Sequence, residues 1–202
     1  MKTIRVDSRR MVLLAMLSGI LLVMSFTPLG YLNIGPLAIS LNMIPVAIGA
    51  VALGPGGGAF LGAVFGITSC LQCIGIGGTS AMGVILFEIS PVLTIIQRFA
   101  TRVLAGWLTG VVYRCLHKLH FSYASYAAGC GAALFNTAFF MIALVLLFGN
   151  TPYLQNLIAG RNILVFILSF VGINALVELL AATVTVGVVC NALEKLKMIG
   201  GK

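Results

Sequence analysis

The chain has 202 residues, of which 60% are hydrophobic and 8% are charged, and its mean hydropathy is +1.15. Soluble domains carry about 25% charged residues, so this composition excludes a water-soluble domain and predicts an integral membrane protein. Much of the formal net charge of +8 lies near the two ends, which indicates membrane orientation and argues against nucleic-acid binding.

Six apolar segments follow one another along the chain, and most of the connectors between them contain glycine or proline. They cover residues 11–27, 38–53, 58–74, 91–116, 123–148 and 162–192. The second segment is short and contains Pro45, which kinks or interrupts a helix. We predict an all-α fold, in which six transmembrane helices in residues 11–193 form one substrate-binding bundle. Residues 1–10 and 194–202 are predicted to be short basic cytoplasmic ends.

Basic residues determine the predicted orientation of the bundle. They precede the first segment and follow the last: Lys2, Arg5, Arg9, Arg10, Lys195, Lys197 and Lys202. Because cytoplasmic segments of membrane proteins are enriched in lysine and arginine, both ends are expected in the cytoplasm, which requires an even number of spans. We therefore predict a multi-pass protein of the cell membrane. The connectors 28–37, 75–90 and 149–161 would then face outward.

Two arginines interrupt the fourth segment, within the sequence TIIQRFATRV. Arg98 and Arg102 are four residues apart and share one helix face, and Arg161 lies just before the sixth segment. Ionisable groups inside a membrane are costly and usually face a cavity or a partner. Glu178 could pair with Arg102 structurally, and long arginines can also snorkel outward. An uncompensated guanidinium in an outward cavity is instead suited to a carboxylate or phosphate ligand.

Neutral polar side chains lie within or beside the same segments and favour a pocket for a polar ligand. The predicted lining is Arg98, Gln97, Asn136, Arg161, Asn162, Tyr153, Gln72, Asn174 and Glu178. Asn174 and Glu178 share a helix face at a spacing of four, and form either the pocket floor or a structural contact. Asparagine in a membrane helix often only cross-links helices, and that alternative stays open for Asn136.

Small residues recur at intervals of four on three segments. The Gly-x-x-x-Gly-x-x-x-Gly repeat in residues 58–66 and the Gly-x-x-x-Gly pair in residues 106–110 predict close helix packing inside the bundle. Ala15 and Gly19 form a similar groove on the first segment. That groove either packs within the bundle or docks a partner helix.

Motifs that would indicate catalysis are weak. Cys70 and Cys73 form a C-x-x-C pair, which admits a membrane thiol oxidoreductase, although the other cysteines supply no second pair on the same side. His117 and His120 have no nearby carboxylate or cysteine cluster, so no metal site is predicted. The glycine-rich stretch GIGGTSAMG lacks the Gly-Lys-Ser/Thr ending of a phosphate-binding loop. The sequence predicts neither an enzyme nor a bound cofactor.

Four stretches, in their order and spacing, resemble the substrate-binding S components of energy-coupling-factor (ECF) vitamin transporters. They are LNIGPLAISLNMIPVAIGAVALGPGGGAFLGAVFG (32–66), IQRFATRVLAGWLTGVVYR (96–114), FNTAFFM (135–141) and GRNILVFILSFVGINALVE (160–178). Within that family the likeness is greatest to the pantothenate-binding type. Riboflavin-binding S components are the nearest alternative.

The resemblance implies a six-helix membrane protein that binds a vitamin near its outer face. A transmembrane coupling subunit and two cytoplasmic ATPases would associate with it and supply the energy. Ala15 and Gly19 match the family's Ala-x-x-x-Ala docking motif, with glycine at the second position. Pantothenate is a monoanion with an amide and two hydroxyls, so its carboxylate would lie on Arg98 and its polar body near Gln97 and Asn136. A solitary secondary transporter of a small organic anion is the alternative from another class.

Overall fold

The computed structural model describes residues 8–27, 30–33, 38–77, 80–119, 123–160 and 162–196. Its elements, in chain order, are α1 (Ser8–Phe26), β1 (Tyr31–Asn33), β2 (Ala38–Ser40), α2 (Met43–Leu53), α3 (Pro55–Cys73), α4 (Ala81–Ile89), α5 (Pro91–Lys118), α6 (Ala124–Phe148), α7 (Pro152–Ile158) and α8 (Ile163–Lys195). The described part is helical, as predicted, except for two strands of three residues each and the connecting turns. The predicted site residue Arg161 lies outside the described residues, as do Lys2, Arg5, Lys197 and Lys202 of the predicted cytoplasmic ends.

The predicted second helical segment, residues 38–53, is wrong at its start. Residues 38–40 form β2, which pairs antiparallel with β1 so that Tyr31 lies opposite Ser40. The helix begins only at Met43. Pro45 is therefore in the first turn of α2, where its missing backbone N–H breaks no helical hydrogen bond. The proline lies in the first turn of this helix and does not interrupt it, and a short hairpin precedes the helix.

Two of the predicted connectors contain short helices. Residues 75–90 include α4 and residues 149–161 include α7, and each helix is capped by a hydroxyl side chain. Both pack against one end of α6 through a cluster of buried apolar side chains: Met82, Leu86, Met141, Leu144, Phe148 and Leu154. A separate buried cluster joins α1, α2, α3, α5, α6 and α8. The short helices thus form an apolar layer at one end of the bundle.

Within the described residues, four stretches are long and apolar enough to cross a membrane by length and composition. They are Ser8–Phe26, Pro55–Cys73, Ala124–Phe148 and Asn174–Lys195. Helix α2 is apolar but has only 11 residues, and α5 has 28 residues but carries charges along its length. The bundle of several apolar helices agrees with the predicted class of protein, and the count of six spans stays a prediction.

Helix α5 has polar side chains inside the bundle and apolar side chains outside. The buried polar residues are Thr94, Gln97, Arg98, Thr101, Arg102 and Thr109. The exposed apolar residues are Val92, Ile95, Ile96, Phe99, Leu104 and Trp107. A helix of this kind is expected where lipid surrounds the protein and polar groups face the interior. The buried polar stripe lowers the hydropathy of α5, which explains why this long helix is not among the four apolar stretches.

Glycines bring α3 and α5 into backbone contact, as the small-residue pattern predicts. A Cβ atom at Gly106 would overlap the carbonyl oxygen of Gly58, and a Cβ atom at Gly58 would overlap that of Gly106. One turn along α3, a Cβ at Gly62 would overlap the carbonyl oxygen of Arg102. Only glycine permits this approach at both helices. The contact fixes the register of α5 on α3, and thereby the position at which the two arginines enter the bundle.

Candidate functional site

Arg98 enters the bundle with its charge surrounded by hydroxyls. The side chain is 5% exposed. Its Nη1 donates to Ser69 Oγ on α3 at 3.2 Å, and its Nη2 donates to Ser80 Oγ at the start of α4 at 3.1 Å. The guanidinium also lies 5.6 Å from the centroid of the Phe140 ring on α6. Among the described residues Arg98 makes no ion pair with a carboxylate, and its Nε has no hydrogen-bond partner.

Arg102, one turn further along α5, has different surroundings. Its Nη1 donates to the backbone carbonyl oxygen of Arg98 at 3.1 Å. Its guanidinium lies 4.6 Å from the centroid of the Phe65 ring and 5.9 Å from that of Phe140. It also interacts electrostatically with Glu178 on α8. Arg102 is thus engaged by its own helix, two aromatic faces and an acid, which agrees with the structural pairing considered for it.

Two buried amides lie on the helices that carry these contacts. Gln97 on α5 is 0% exposed, and neither amide atom has a hydrogen-bond partner in the described part of the chain. Asn136 on α6 is also buried, and its Oδ1 likewise has none there. Buried polar groups in native proteins are nearly always satisfied, by protein, water or a ligand. These two amides are therefore suited to hydrogen-bond a polar ligand.

Glu178 connects α8 to the hairpin. The backbone N–H of Ser40, the last residue of β2, donates to the carboxylate of Glu178. Asn174, one turn earlier on α8, is buried and has its own contacts. The sequence allows these two residues either to line a pocket or to hold the structure, and the hairpin contact gives Glu178 a structural role.

The remaining predicted site residues lie in three different places. Gln72 Nε2 donates to the backbone oxygen of Ser25 at 2.7 Å, so this amide nitrogen joins α3 to α1. Tyr153 on α7 is half-buried, and burial raises the pKa of its phenol, which keeps the hydroxyl protonated as a donor. Asn162 is exposed at the start of α8. The structure therefore brings Arg98 together with Ser69, Ser80 and Phe140, and holds Gln72 at another contact.

Sequence reasoning missed Ser69 and Phe140, and it assigned Ser80 to an outer connector without relating it to Arg98. Ser69 and Ser80 bind Arg98, and Phe140 faces both guanidinium groups. The buried amide of Asn42, which the sequence did not single out, also has no partner among the described residues. The order of Ser80 before an apolar run is a helix N-cap signal and could have placed Ser80 at the start of a helix. Nothing local in the sequence connects Ser69 or Phe140 to Arg98, because those contacts depend on the packing of α3 and α6 against α5.

The predicted docking residues are exposed on the surface of the bundle and do not lie in its interior. Ala15 and Gly19 are exposed on α1, and a Cβ atom at Gly19 would meet nothing within 4 Å. Exposed apolar side chains surround them on the same helix: Met11, Val12, Met16, Ile20 and Val23. This small-residue surface is open to a helix from another protein or to lipid.

Two comparisons with known proteins relate this chain to a family of membrane transport proteins. A family model described as "ECF transporter, substrate-specific component" matches residues 9–190. The chain is also 27% identical over 175 residues to a pantothenate transporter, PanT, of Leuconostoc mesenteroides subsp. mesenteroides. That alignment covers 82% of this chain and 81% of the relative. Since the family model covers most of the chain, this protein belongs to the family of substrate-specific components of ECF transporters.

Proposed function

We propose that this protein captures pantothenate at the outer face of a prokaryotic plasma membrane for ATP-driven import. The main support for pantothenate as the substrate is the buried Arg98. Its guanidinium is bound by two hydroxyls and by no carboxylate in the described part of the chain. A buried positive charge without an anion is costly. A ligand carboxylate supplies the missing negative charge and can accept hydrogen bonds from the guanidinium.

The chemistry of pantothenate fits the rest of the site. Beyond its carboxylate the molecule has one amide and two hydroxyls, which need donors and acceptors. Gln97 and Asn136 offer buried amide atoms without partners in the described structure. The likeness to a protein named for pantothenate transport supports the same substrate. Arg161, Asn162 and Tyr153 are proposed to contact the ligand near the outer entrance.

The proposed topology would put this site in the outer half of the membrane. With six spans and both ends in the cytoplasm, α5 starts on the outer side, and Arg98 lies about 10 Å along it. The proposed partners are a transmembrane coupling subunit, which would dock on the surface around Ala15 and Gly19, and two cytoplasmic ATPases. The substrate-binding subunit itself hydrolyses no ATP in this scheme.

Uptake of radiolabelled pantothenate tests the proposal. The host would be a bacterial strain without its own pantothenate uptake, expressing this protein alone, with the coupling module, or with a module whose ATPases are inactivated. We expect uptake only with the active module. Uptake by the protein alone, driven by an ion gradient, would identify a solitary secondary transporter instead. Failure to accumulate pantothenate with the active module, while riboflavin accumulates, would assign the other vitamin.

A further inference from the structure

Two serines from different elements hold the Arg98 guanidinium. Ser69 belongs to α3 and is fully buried, and Ser80 precedes the first turn of α4. Each hydroxyl accepts from a different Nη atom of Arg98, at 3.2 Å and 3.1 Å. A hydroxyl is neutral, so these contacts fix the orientation of the guanidinium without cancelling its charge. The Nε–H remains without a partner in the described structure.

The hydroxyl of Ser80 also caps α4. It accepts a hydrogen bond from the backbone N–H of Gly83 at 3.2 Å. A Cβ atom at Gly83 would lie 2.8 Å from Arg98 Nη2 and 2.8 Å from Cys73 Sγ. The first turn of α4 therefore lies directly against both the guanidinium and the Cys73 thiol, which is 2% exposed.

We propose that Ser69 and Ser80 are positioning residues for anion recognition. They hold Arg98 with its Nε–H available to a ligand carboxylate, and Ser80 additionally fixes α4 over Arg98 and Cys73. Ser69 acts on the guanidinium alone, since its hydroxyl has no capping role. This role rests on the proposed function only for the identity of the ligand.

The first test separates recognition of the carboxylate from general binding. Pantothenate and panthenol, the alcohol that replaces its carboxylate with CH₂OH, are titrated into wild type, Ser69→Ala and Ser80→Ala. The ratio of the two dissociation constants measures the preference for the carboxylate. We expect this ratio to fall about tenfold in each variant, because a hydrogen bond to a charged group is lost. Ser80→Thr, which keeps a hydroxyl, should restore the preference.

Ser18→Ala is the matched control, because the Ser18 hydroxyl donates only to the carbonyl of Leu14 within α1. It should leave the ratio unchanged. If Ser69→Ala and Ser80→Ala weaken both ligands equally and leave the ratio as in wild type, the serines act only on folding, and the positioning role is wrong.

A second test needs no ligand. In a variant whose other four cysteines are replaced by alanine, the rate of Cys73 alkylation by N-ethylmaleimide reports how firmly α4 covers the thiol. We expect Ser80→Ala to raise this rate about tenfold and Ser80→Thr to leave it unchanged. If wild type binds neither compound, the proposed substrate is wrong, and the alkylation rates then test the contact of Ser80 with α4. An unchanged rate in Ser80→Ala would show that Ser80 does not fix α4 over Cys73 and would overturn the proposal.

Discussion

Arg102 donates from Nη1 to the backbone carbonyl oxygen of Arg98, 3.1 Å away. This bond folds Arg102 back along α5 and places its guanidinium over Phe65, whereas Arg98 reaches across to Ser69 and Ser80. The two arginines share one helix face but bind different partners. Arg102 contacts its own helix and two aromatic rings and interacts with Glu178, whereas Arg98 binds hydroxyls of α3 and of the start of α4.

Replacement of Arg98 tests the anion site. Arg98→Met keeps an apolar chain in the bundle but removes the charge, and we expect it to weaken pantothenate binding by about 2–5 kcal/mol, because the ligand carboxylate would be left buried and unpaired. Arg98→Lys should bind with intermediate affinity, since one ammonium cannot reproduce the geometry of the guanidinium fork. Isothermal titration measures both.

Arg114→Met provides the control for the Arg98 variants, because Arg114 is an exposed arginine at the other end of α5. Its affinity for pantothenate should match wild type. Wild-type affinity in a folded Arg98→Met protein would contradict the proposed role of Arg98.

Gly83→Ala tests the close approach of α4 to Arg98. The new methyl group would lie 2.8 Å from Arg98 Nη2 and from Cys73 Sγ, so that either α4 or the guanidinium must shift. We expect pantothenate affinity to fall at least about tenfold, although alanine favours helix formation by about 1 kcal/mol over glycine. Gly56→Ala, where a Cβ atom meets nothing within 4 Å, should leave affinity unchanged. Wild-type affinity in Gly83→Ala would show that ligand binding does not depend on the close packing of α4 against Arg98.

Gly106→Ala tests the packing of α3 on α5. Its Cβ atom would overlap the carbonyl oxygen of Gly58, and backbone atoms cannot move aside as a flexible side chain can. We expect a loss of stability of about 1–3 kcal/mol, measured as a lower midpoint of thermal unfolding in detergent. Gly56→Ala, on the same helix as Gly58, should unfold at the wild-type temperature. An unchanged midpoint for Gly106→Ala would contradict the backbone contact.

Glu178→Ala tests the connection between the hairpin and α8. The carboxylate accepts the backbone N–H of Ser40, so its removal leaves that N–H without its acceptor. We expect faster amide hydrogen exchange at Ser40 and in β2, and about wild-type exchange in Glu178→Gln, whose side-chain oxygen can still accept. Protection that is equal in Glu178→Ala and wild type would argue that other contacts hold the hairpin.

Enlargement of the exposed small residues tests the docking surface on α1. Ala15→Leu combined with Gly19→Leu should block assembly with the coupling subunit, because bulky side chains prevent close approach of a partner helix. Pantothenate affinity of the isolated protein should stay as in wild type, since Ala15 and Gly19 are exposed on α1 and contribute nothing to the bundle interior. Co-purification with the coupling module measures assembly. A double variant that assembles normally would place the docking surface elsewhere.

The helices of the bundle could be predicted from apolar runs, because most of the connectors between them carry glycine or proline. The hairpin and the two short helices could not. Residues 38–40 directly precede the apolar run of α2 and are predicted as part of it, whereas their strand pairing depends on β1. Helices α4 and α7 owe their place to burial of Leu86 and Leu154 against α6, a contact that the local sequence does not contain.

The candidate site was predictable in part. Arg98, Gln97 and Asn136 stand out because polar groups are rare in membrane segments, and all three are buried. Gln72 is also a polar residue in an apolar segment, but its side chain donates to Ser25 of α1. The carboxylate of Glu178 accepts from the backbone of Ser40, which is 138 positions away in the sequence. Polarity therefore identifies which residues need partners, and only the packing of helices determines which partners they find.

Isothermal titration of the purified protein with pantothenate, riboflavin, thiamine, biotin and folate tests the central claim most directly. We expect tight binding of pantothenate alone, because its single carboxylate and short polar body match Arg98 and the neighbouring amides. Binding of riboflavin without pantothenate would contradict the account, since riboflavin carries no carboxylate to pair with Arg98.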